Sequence, residues 1–304
     1  MLKVAILLST YHGQHYLAEQ LESFSAQTHS NWEVWASDDG SADDTHRILK
    51  AYQRQWAPGK LSLQAGPAAG FAANFLALTC NDSIQADYYA YSDQDDIWNP
   101  DKLERALRWL ESVPPGKPAL YCSRTRLVDS ANREIGLSPM FGHASFANAL
   151  VQNIAGGNTM VFNNAARALL RAAAQVPIVY HDWWAYMAVT GCGGEVFCDP
   201  VPTLRYRQHG ANLIGVDASW GARYRRLRKL WQGQQKDWNT AYIAALRKLE
   251  DRLTPESRAI FNRFARAREM SLIPRLINFC RSGVYRQTRL GNISLVLAAI
   301  FKKI

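Results

Sequence analysis

Short apolar runs alternate with longer amphipathic segments over roughly the first 110 residues of the chain. Four apolar runs predict buried strands: KVAILLS, WEVWAS, LSLQAG and YYAYS. After each run, apolar side chains recur at helical spacing, in HYLAEQLESFSAQ, DDTHRILKAYQRQ, GFAANFLALTC and PDKLERALRWLE. This alternation predicts an α/β fold with a mostly parallel central sheet, flanked by helices and joined by right-handed crossovers.

The alternation loosens in the second part of the chain. ALYCSRTRLVD predicts one further strand, and the period-two pattern of SRTRLVD is typical of an antiparallel or edge element. From about residue 219 onward the pattern is helical and the composition basic. We therefore expect an α/β domain over residues 1–215, divided near residue 112, and a basic α-helical C-terminal extension over residues 216–304.

Polar side chains collect where three of the predicted strands end. They are Ser9, Thr10 and Tyr11 after the first strand, Asp38 and Asp39 after the second, and Asp93, Asp95 and Asp96 after the fourth. In open α/β sheets the carboxyl ends of parallel strands meet at one edge, which is where ligands bind. The three clusters are therefore expected to converge on one site.

The cluster Asp93, Asp95 and Asp96 needs a positive partner, because carboxylates this close together repel one another. No phosphate-binding P-loop is present, and no GxGxxG follows the first strand. A Mg²⁺ or Mn²⁺ ion bridging the carboxylates to a nucleotide diphosphate would supply the charge. The other interpretation is structural, with Asp96 or Asn99 capping the helix that starts at Pro100.

Four motifs occur in the order STYHG, SDDGSADDT, SDQDDIW and HDWW. Together they resemble the inverting family 2 glycosyltransferases, which have the GT-A nucleotide-sugar fold. The resemblance covers residues 1–215 and is strongest to bacterial rhamnosyltransferase-like enzymes of surface-polysaccharide assembly (lipopolysaccharide, O-antigen or capsule). It implies that residues 1–112 bind the nucleotide-sugar and that residues 113–215 form the acceptor side.

The resemblance also implies roles for the strand-end residues. Ser9, Thr10 and Tyr11 would line the nucleotide pocket, Asp38 would hydrogen-bond the base and Asp39 would support the loop. Asp93 would contact the ribose or the metal, Asp95 would bind the metal, and Asp96 would shape the site or face the sugar. Lys102, just beyond, is expected to be a surface helix lysine rather than a partner of this acidic loop.

Transfer with inversion needs a carboxylate that takes the proton of the acceptor hydroxyl. By resemblance this base is Asp182, which the sequence alone also allows to be a helix cap. Its neighbour Trp183 is assigned to the acceptor, because flat amphipathic rings suit sugar faces. Trp184 and Tyr186 share that chemistry, although a core position is favoured for Trp184.

The remaining assignments come from two glycine-flanked segments. In NIAGGNTMVFN, Gly157 resembles the acceptor-side segment of the family, in which Asn158 replaces a Cys or another small residue. In LRYRQHGANLIG, the resemblance implies that His209 completes the metal or diphosphate contacts. Arg205 and Arg207 are expected to face the diphosphate, whose charge grows as it leaves.

Charge is spread unevenly along the chain. Residues 1–204 hold 14 Lys and Arg and 20 Asp and Glu, a net charge of −6, whereas residues 205–304 hold 21 and 6, a net charge of +15, for +9 overall. The segment WGARYRRLRKLW places Trp220, Tyr224, Leu227 and Trp231 on one helical face between basic residues. This pattern is typical of an interfacial helix attracted to an anionic membrane surface. The other interpretation is a helix packed on the catalytic domain, and the acidic strand-end clusters disfavour nucleic acid as a partner.

The expected location is cytoplasmic, at the inner face of the cell membrane. The 5 cysteines have neither CxxC nor zinc-site spacing, as expected of a reduced protein. The N-terminal apolar run predicts a strand rather than a signal peptide. ISLVLAAIF, near the C-terminus, is about half the length that a membrane-spanning helix needs, and is either a core helix or an interfacial one.

The sequence thus predicts a metal-dependent inverting glycosyltransferase. It would move a sugar, rhamnose by resemblance, from a dTDP- or UDP-sugar to a glycan or lipid-linked acceptor. A nucleotidyltransferase would need a Gly-rich, Lys- or Arg-bearing loop after the first strand, which STYHG lacks. The other open function is a non-catalytic nucleotide- or glycan-binding protein on the same fold, for which a base at Asp182 would have no use.

Overall fold

The computed structural model describes residues 1–174, 176–209 and 234–304. The first half alternates as predicted: β1 (Val4–Thr10), α1 (Leu17–Ser25), β2 (Trp32–Asp38), α2 (Thr45–Gln55), β3 (Leu61–Ala65), α3 (Phe71–Cys80), β4 (Tyr88–Ser92), β5 (Ile97–Trp98) and α4 (Lys102–Leu110). The two-residue strand β5, inside the acidic motif, is an element that the sequence pattern does not predict.

The second half begins with β6 (Ala119–Ser123), β7 (Arg126–Val128), β8 (Glu134–Leu137), α5 (Phe146–Ala149), β9 (Val161–Asn163) and α6 (Asn164–Leu170). It continues with α7 (His181–Gly191), β10 (Glu195–Asp199), β11 (Leu204–Arg207), α8 (Gln234–Arg247), α9 (Pro255–Glu269), α10 (Leu272–Ser282) and α11 (Arg289–Ile300). Short 3₁₀ turns occupy Gly157–Thr159, Arg171–Ala173 and Glu250–Arg252.

The prediction of one strand over ALYCSRTRLVD is wrong, because β6 and β7 belong to different sheets. The chain bends between them at Arg124. The guanidinium of Arg124 donates to the carbonyl of Ser138, and its backbone N–H donates to the carbonyl of Asp199. The edge character read from SRTRLVD is confirmed in part, since β7 pairs antiparallel with β8 and parallel with β11.

The main sheet has the strand order β10-β6-β9-β4-β1-β2-β3 within the described residues. β1 runs parallel to β2 and β4, β2 runs parallel to β3, and β6 runs parallel to β10. β9 is antiparallel to both β4 and β6 and joins the two parallel groups. The predicted mostly parallel sheet is therefore confirmed.

The uninterrupted apolar run of β1 follows from its central place in this sheet. All residues from Val4 to Leu8 are fully buried. Ala5 and Leu7 face one hydrophobic cluster, and Val4, Ile6 and Leu8 face the other. A strand covered on both faces has no solvent side on which to carry polar residues, so its polar positions come only at its end.

A smaller sheet of order β5-β11-β7-β8 lies beside the carboxyl end of β4. β5 pairs antiparallel with β11, with Leu204 opposite Trp98 and Arg205 opposite Ile97. This pairing brings the acidic motif next to the segment that carries His209. Two stretches that are more than 100 residues apart in the sequence thus meet through two short strands.

The C-terminal helices share the hydrophobic core of the preceding domain. Tyr242 of α8 and Phe261 and Phe264 of α9 lie in the same buried cluster as Trp184 of α7. Thr254 caps α9, accepting the N–H of Ser257. Among the described helices, none has both the length and the apolar character required to cross a membrane. The interfacial segment predicted at Trp220–Trp231 lies outside the described residues.

Candidate functional site

A cavity of about 1720 Å³ opens at the carboxyl ends of β1, β2 and β4. It is lined from both halves of the domain and by Trp238 of α8. Its wall includes these predicted site residues: Ser9, Tyr11, Asp39, Asp93, Asp95, Gly157, Asp182, Trp183 and His209. Thr10, Asp38 and Arg207 do not line it. The convergence that the three strand-end clusters predict is therefore present.

Thr10 and Asp38 lie level on adjacent strands, just behind the cavity wall. The Thr10 hydroxyl donates to Asp38 Oδ1 at 2.8 Å, and Ser41 donates to the same carboxylate from its hydroxyl at 2.6 Å and its backbone N–H at 2.9 Å. Both side chains are buried. The expectation that Thr10 lines the pocket is therefore corrected, since its hydroxyl holds Asp38 instead.

Asp39 supports the loop before α3. Its two oxygens accept the backbone N–H groups of Ala68 and Gly70, each at 2.8 Å. Gly66 completes this turn, because a Cβ there would lie 2.7 Å from Asp39 Oδ1. A carboxylate that accepts two backbone N–H groups fixes the loop in one conformation at the cavity edge.

Gln94 ties the acidic motif to the end of β1. Its side-chain amide accepts the backbone N–H of Tyr11 and donates to the Tyr11 carbonyl, both at 2.8 Å. A Cβ on Gly13 would lie 2.3 Å from Gln94 Oε1, so any larger residue there would displace this amide. Gln94 lies between Asp93 and Asp95 in the sequence, but its contact with Tyr11 has no sequence signal. The amide holds the exposed Tyr11 ring at the cavity rim.

Lys102 is 0% exposed, so the prediction of a surface helix lysine is wrong. Its ammonium donates to the carbonyl of Asn158 at 2.7 Å and lies 4.1 Å from the ring centre of Trp98. Burial lowers the pKa of Lys102 to about 7, against the opposing charges of Asp96 and Asp93. A buried lysine thus supplies positive charge to the acidic cluster.

Asp96 is fully buried beside this lysine. Its Oδ2 accepts the amide of Asn158 at 2.6 Å, and its Oδ1 finds no hydrogen-bond partner within the described part of the chain. Burial, followed by the charges of Asp95 and Asp93, raises its pKa well above the usual range. The helix-capping interpretation of Asp96 is wrong, because Asp101 holds the N-cap position of α4. Asn158, where the family often has a small residue, is the bridge between Asp96 and Lys102.

Asp93 and Asp95 face the cavity together with His209. His209 Nε2 lies 2.8 Å from Asp95 Oδ2, and its ring packs 5.0 Å from that of Tyr16. Burial raises the pKa of Asp93 to about 7, helped by the charges of Asp95 and Asp182. The neighbouring charges that act on Asp93 therefore come from both sides of the cavity.

Arg207 does not face the cavity, which corrects its expected contact with a diphosphate. It is 1% exposed. Its guanidinium donates to the Asp95 carbonyl at 3.1 Å, the Ser130 carbonyl at 3.0 Å and Glu19 Oε2 at 2.8 Å. It therefore fixes the chain on either side of the Asp95–His209 contact. Arg205 donates to the side chain of Asn132, at the surface.

Asp182 lies in the first turn of α7, on the cavity wall. Oδ1 accepts the N–H of Trp183 at 2.7 Å, and Oδ2 accepts the N–H of Gly157 at 3.2 Å. Burial raises the pKa of Asp182 to about 6, and hydrogen bonds from Trp183, Gly157 and the Asn153 side chain oppose that rise. The group is thus held in one orientation with a pKa suited to accepting a proton near neutral pH.

Gly157 is required by close packing rather than by a special backbone angle. A Cβ there would lie 2.6 Å from His181 Nε2 and 3.2 Å from the Asp182 Cβ. The His181 ring is stacked 3.9 Å from Phe75, and burial lowers its pKa to about 3. The neutral His181 imidazole and the Gly157 backbone therefore pack closely next to Asp182.

The aromatic residues after Asp182 divide between the cavity and the core. Trp183 is mostly buried but reaches the cavity wall, and its indole N–H donates to the Ala149 carbonyl at 2.6 Å. Trp184 donates to the Leu170 carbonyl at 3.0 Å and is a core residue, as favoured from the sequence. Tyr186 is fully buried, which corrects its proposed suitability for a sugar face.

The donor set at Asp93, Asp95 and His209 fits a divalent ion that prefers oxygen and imidazole ligands, such as Mn²⁺. Asp95 Oδ2 and His209 Nε2 already lie at contact distance on the cavity wall. No group of three or more candidate ligand side chains lies within metal-binding reach in the described residues. A bound ion would therefore need further ligands, such as phosphate oxygens.

The sequence also matches known proteins. The family model described as Glycosyl transferase family 2 matches residues 5–175. The dTDP-rhamnosyl transferase RfbG of Shigella flexneri is 30% identical over 232 residues, which cover 72% of this chain and 78% of that protein.

Two solved structures share the GT-A architecture. S. aureus TarS 1-349, in complex with UDP-GlcNAc, aligns with a TM-score of 0.56 over 93% of each chain at 15% identity. The mannosyltransferase PcManGT from Pyrobaculum calidifontis, in complex with GDP-Man and Mn²⁺, aligns with a TM-score of 0.52 over 99% of this chain and 86% of that chain at 15% identity. At this identity the likeness establishes the fold.

Proposed function

The chain belongs to glycosyl transferase family 2, and from this premise we propose that it is a metal-dependent, inverting glycosyltransferase of bacterial surface-polysaccharide synthesis. It transfers a sugar from a nucleotide diphosphate donor to a glycan or lipid-linked acceptor. The observation that carries the proposal is the placement of Asp182 in the same cavity as Asp93, Asp95 and His209. In a displacement at a sugar carbon, Asp182 would act on the attacking hydroxyl, and Asp95 with His209 would act on the leaving diphosphate.

In the proposed reaction the acceptor oxygen bonds to the anomeric carbon as the bond from that carbon to the diphosphate oxygen breaks. Asp182 takes the proton of the acceptor hydroxyl, and the nucleoside diphosphate leaves with the bonding electrons. The N–H groups of Trp183 and Gly157 hold the Asp182 carboxylate in place. Trp183 lines the cavity next to Asp182, and an acceptor sugar would pack against it there.

Asp95, Asp93 and His209 would hold the Mg²⁺ or Mn²⁺ ion, which when bound neutralises the charge of the departing diphosphate. Ser9, Tyr11 and Asp39 line the nucleotide side of the cavity. Asp38 acts there through Ser41 and Thr10, whose hydroxyls it binds. We assign the donor as a dTDP- or UDP-sugar, with rhamnose favoured by the likeness to the dTDP-rhamnosyl transferase RfbG. We also assign the protein to the cytoplasm, at the inner face of the cell membrane.

Calorimetric titration with UDP, dTDP and GDP, each with and without Mn²⁺, tests the donor and metal assignments. One nucleotide is expected to bind tightly, and only with metal. Asp95→Ala is expected to abolish the metal-dependent part of this binding, while Asp182→Asn retains it and loses transfer. If none of the nucleotides binds to the folded protein, the alternative of a non-catalytic glycan-binding protein gains support.

A further inference from the structure

Two C-terminal helices present a large apolar surface to solvent. Leu290 is 79% exposed and Ile273 is 71% exposed. The other exposed members of this surface, which we call the C-terminal apolar face, are Leu272, Ile277, Ile293, Val296, Leu297, Ile300 and Phe301. Single exposed apolar residues are ordinary, but a contiguous set of this size on neighbouring helices marks an interaction site.

The spacing along α11 shows that its exposed apolar residues form one continuous face. Leu290, Ile293, Leu297 and Ile300 follow one another at intervals of three or four residues. Leu295 and Ala298, on the opposite face, are buried. The helix therefore has apolar residues on both sides, and the core covers only one of them. The sequence of ISLVLAAIF allowed either a core helix or an interfacial helix. In the structure this helix has one apolar face in the core and a second apolar face exposed to solvent.

Charge identifies the kind of surface that would cover this face. Residues 270–304 contain six Lys and Arg and no Asp or Glu. Arg281, Arg289 and Lys302 are exposed at the ends of the two helices. An apolar face with a basic border and no acidic residue complements an anionic lipid bilayer, which offers both acyl chains and negative headgroups.

The face is preformed, because one buried arginine holds the two helices together. The Arg275 guanidinium donates to the carbonyls of Met270, Ala299 and Ile300 at 2.9 to 3.2 Å. It thereby ties the first turn of α10 to the last turn of α11. Little ordering remains to oppose binding to a surface.

The segment before α11 is linked to the wall of the cavity. Gln287, just before α11, accepts the N–H of Gly142 and donates to the carbonyl of His143, each at 3.1 Å. The two residues before Gly142 are Met140, 69% exposed, and Phe141, and both line the cavity. Two hydrogen bonds therefore connect the start of α11 to the segment that carries Met140 and Phe141.

We propose that α10 and α11 dock the protein on an anionic bilayer through the C-terminal apolar face, with the rim at Met140 and Phe141 turned toward the lipid. An acceptor carried on a membrane lipid would then reach Asp182 without leaving the bilayer surface. This second statement rests on the proposed glycosyltransfer, whereas the docking itself does not. It also names a surface different from the segment around Trp220, from which membrane binding was expected.

Flotation of the full chain with lipid vesicles tests the docking. The chain is expected to float with vesicles of mixed phosphatidylcholine and phosphatidylglycerol and far less with phosphatidylcholine alone. The triple variant Ile273→Glu, Leu290→Glu and Leu297→Glu is expected to lower the fraction of protein bound to vesicles at least about tenfold. Val201→Glu, an equally polar change at an exposed apolar residue remote from this face in sequence, is the matched control and is expected to float like the wild type.

Measurements of folding, nucleotide binding and oligomeric state distinguish membrane docking from misfolding and from dimer formation. Circular dichroism and metal-dependent nucleotide binding of the triple variant are expected to match the wild type, which shows that the fold and cavity are intact. If the wild type binds vesicles but no nucleotide, the proposed function is contradicted and the docking is still supported. Absence of wild-type flotation, or undiminished flotation of the triple variant, would overturn the docking. If the wild type is a dimer that does not bind vesicles, and the triple variant is a monomer, the face binds a second copy of the chain instead.

Discussion

Two aspartate clusters lie at the same edge of the main sheet, and their partners differ in kind. Asp38 and Asp39, after β2, accept hydrogen bonds from hydroxyl and backbone N–H groups, all of them neutral. These donors come from the neighbouring strand and from the loops that follow β2 and β3. The cluster therefore fixes the shape of two loops and is satisfied by the fold alone.

The cluster after β4 has ionisable partners instead. Asp96 shares Asn158 with the ammonium of Lys102, and Asp95 contacts His209. Burial and mutual repulsion raise the pKa values of Asp96 and Asp93. The charge balance of this second cluster therefore changes when a cation or a proton arrives, whereas the hydrogen-bond donors to the first cluster are all neutral. Substitutions at Asp182, Lys102, Asn158 and Thr10 test this contrast, and their expected effects decrease in that order.

The largest effect is expected at Asp182, whose charge contributes to the raised pKa of Asp93. Asp182→Asn is expected to lower turnover by about 10²- to 10⁴-fold, the usual contribution of a general base. In the wild type, kcat/KM is expected to fall as pH drops through about 6, because protonated Asp182 cannot accept the acceptor proton.

The pH profile has its own control in Asn153. The hydrogen bond from its side chain holds the pKa of Asp182 down, so Asn153→Ala is expected to move the inflection to higher pH. A profile that is the same in both proteins would show that the inflection belongs to another group.

The next effect concerns Lys102. Lys102→Met approximately keeps the length of the side chain and removes its positive charge. Among the described residues, Asn158 contacts both this lysine and the Asp96 carboxyl, whose negative charge the lysine opposes. It is expected to lower the free energy of unfolding by about 3 to 5 kcal/mol, the range for removing one of two opposite charges from a buried site. Urea denaturation measures this, and Lys50→Met, at an exposed lysine of α2, is the control. Equal stability of the two variants would contradict a charge-balancing role for Lys102.

Asn158→Ala is expected to have a smaller effect than Lys102→Met. It leaves the carbonyl that Lys102 contacts but removes the only donor to Asp96 Oδ2 found among the described residues. The loss is expected to be about 1 to 3 kcal/mol of unfolding free energy, the cost of an unsatisfied buried polar group. If stability is lost only at high pH, where Asp96 is ionised, the buried carboxyl is identified as the affected group.

The smallest effect is expected in the first cluster. Thr10→Val removes one neutral hydroxyl donor from Asp38, which still accepts two hydrogen bonds from Ser41. The expected loss is about 0.5 to 1.5 kcal/mol, and Thr10→Ser is expected to restore most of it. A loss as large as that of Lys102→Met would show that the two clusters do not differ in the way described.

The sequence predicts those parts of the fold that depend on local pattern. The apolar run of β1 and the strand-end position of Asp93 and Asp95 follow from periodicity and from the geometry of parallel sheets. The pairing of β5 with β11 was not predicted, because two-residue strands leave no periodic signal. The site depends on that pairing, since it brings His209 to Asp95.

Side-chain partners far apart in sequence account for the errors in the site. Lys102 is buried because Asn158, 56 residues away, offers it a carbonyl. A signal was present, since Lys102 lies four residues before Ala106 on the buried side of α4. Arg207 had no such signal, because its partners Glu19 and Ser130 come from distant elements.

The contact between α8 and α7 has a consequence for dissecting this protein. The Tyr242 hydroxyl accepts the N–H of Tyr180, two residues before Asp182, at 2.9 Å, and Trp238 packs edge-on against the Tyr180 ring. A truncation that ends the chain near residue 215 would remove Tyr242 and Trp238 from the turn that precedes Asp182. The C-terminal helices and the helix that carries Asp182 therefore share one buried core, so removing these helices is expected to disturb the position of the Asp182 carboxylate as well as the fold.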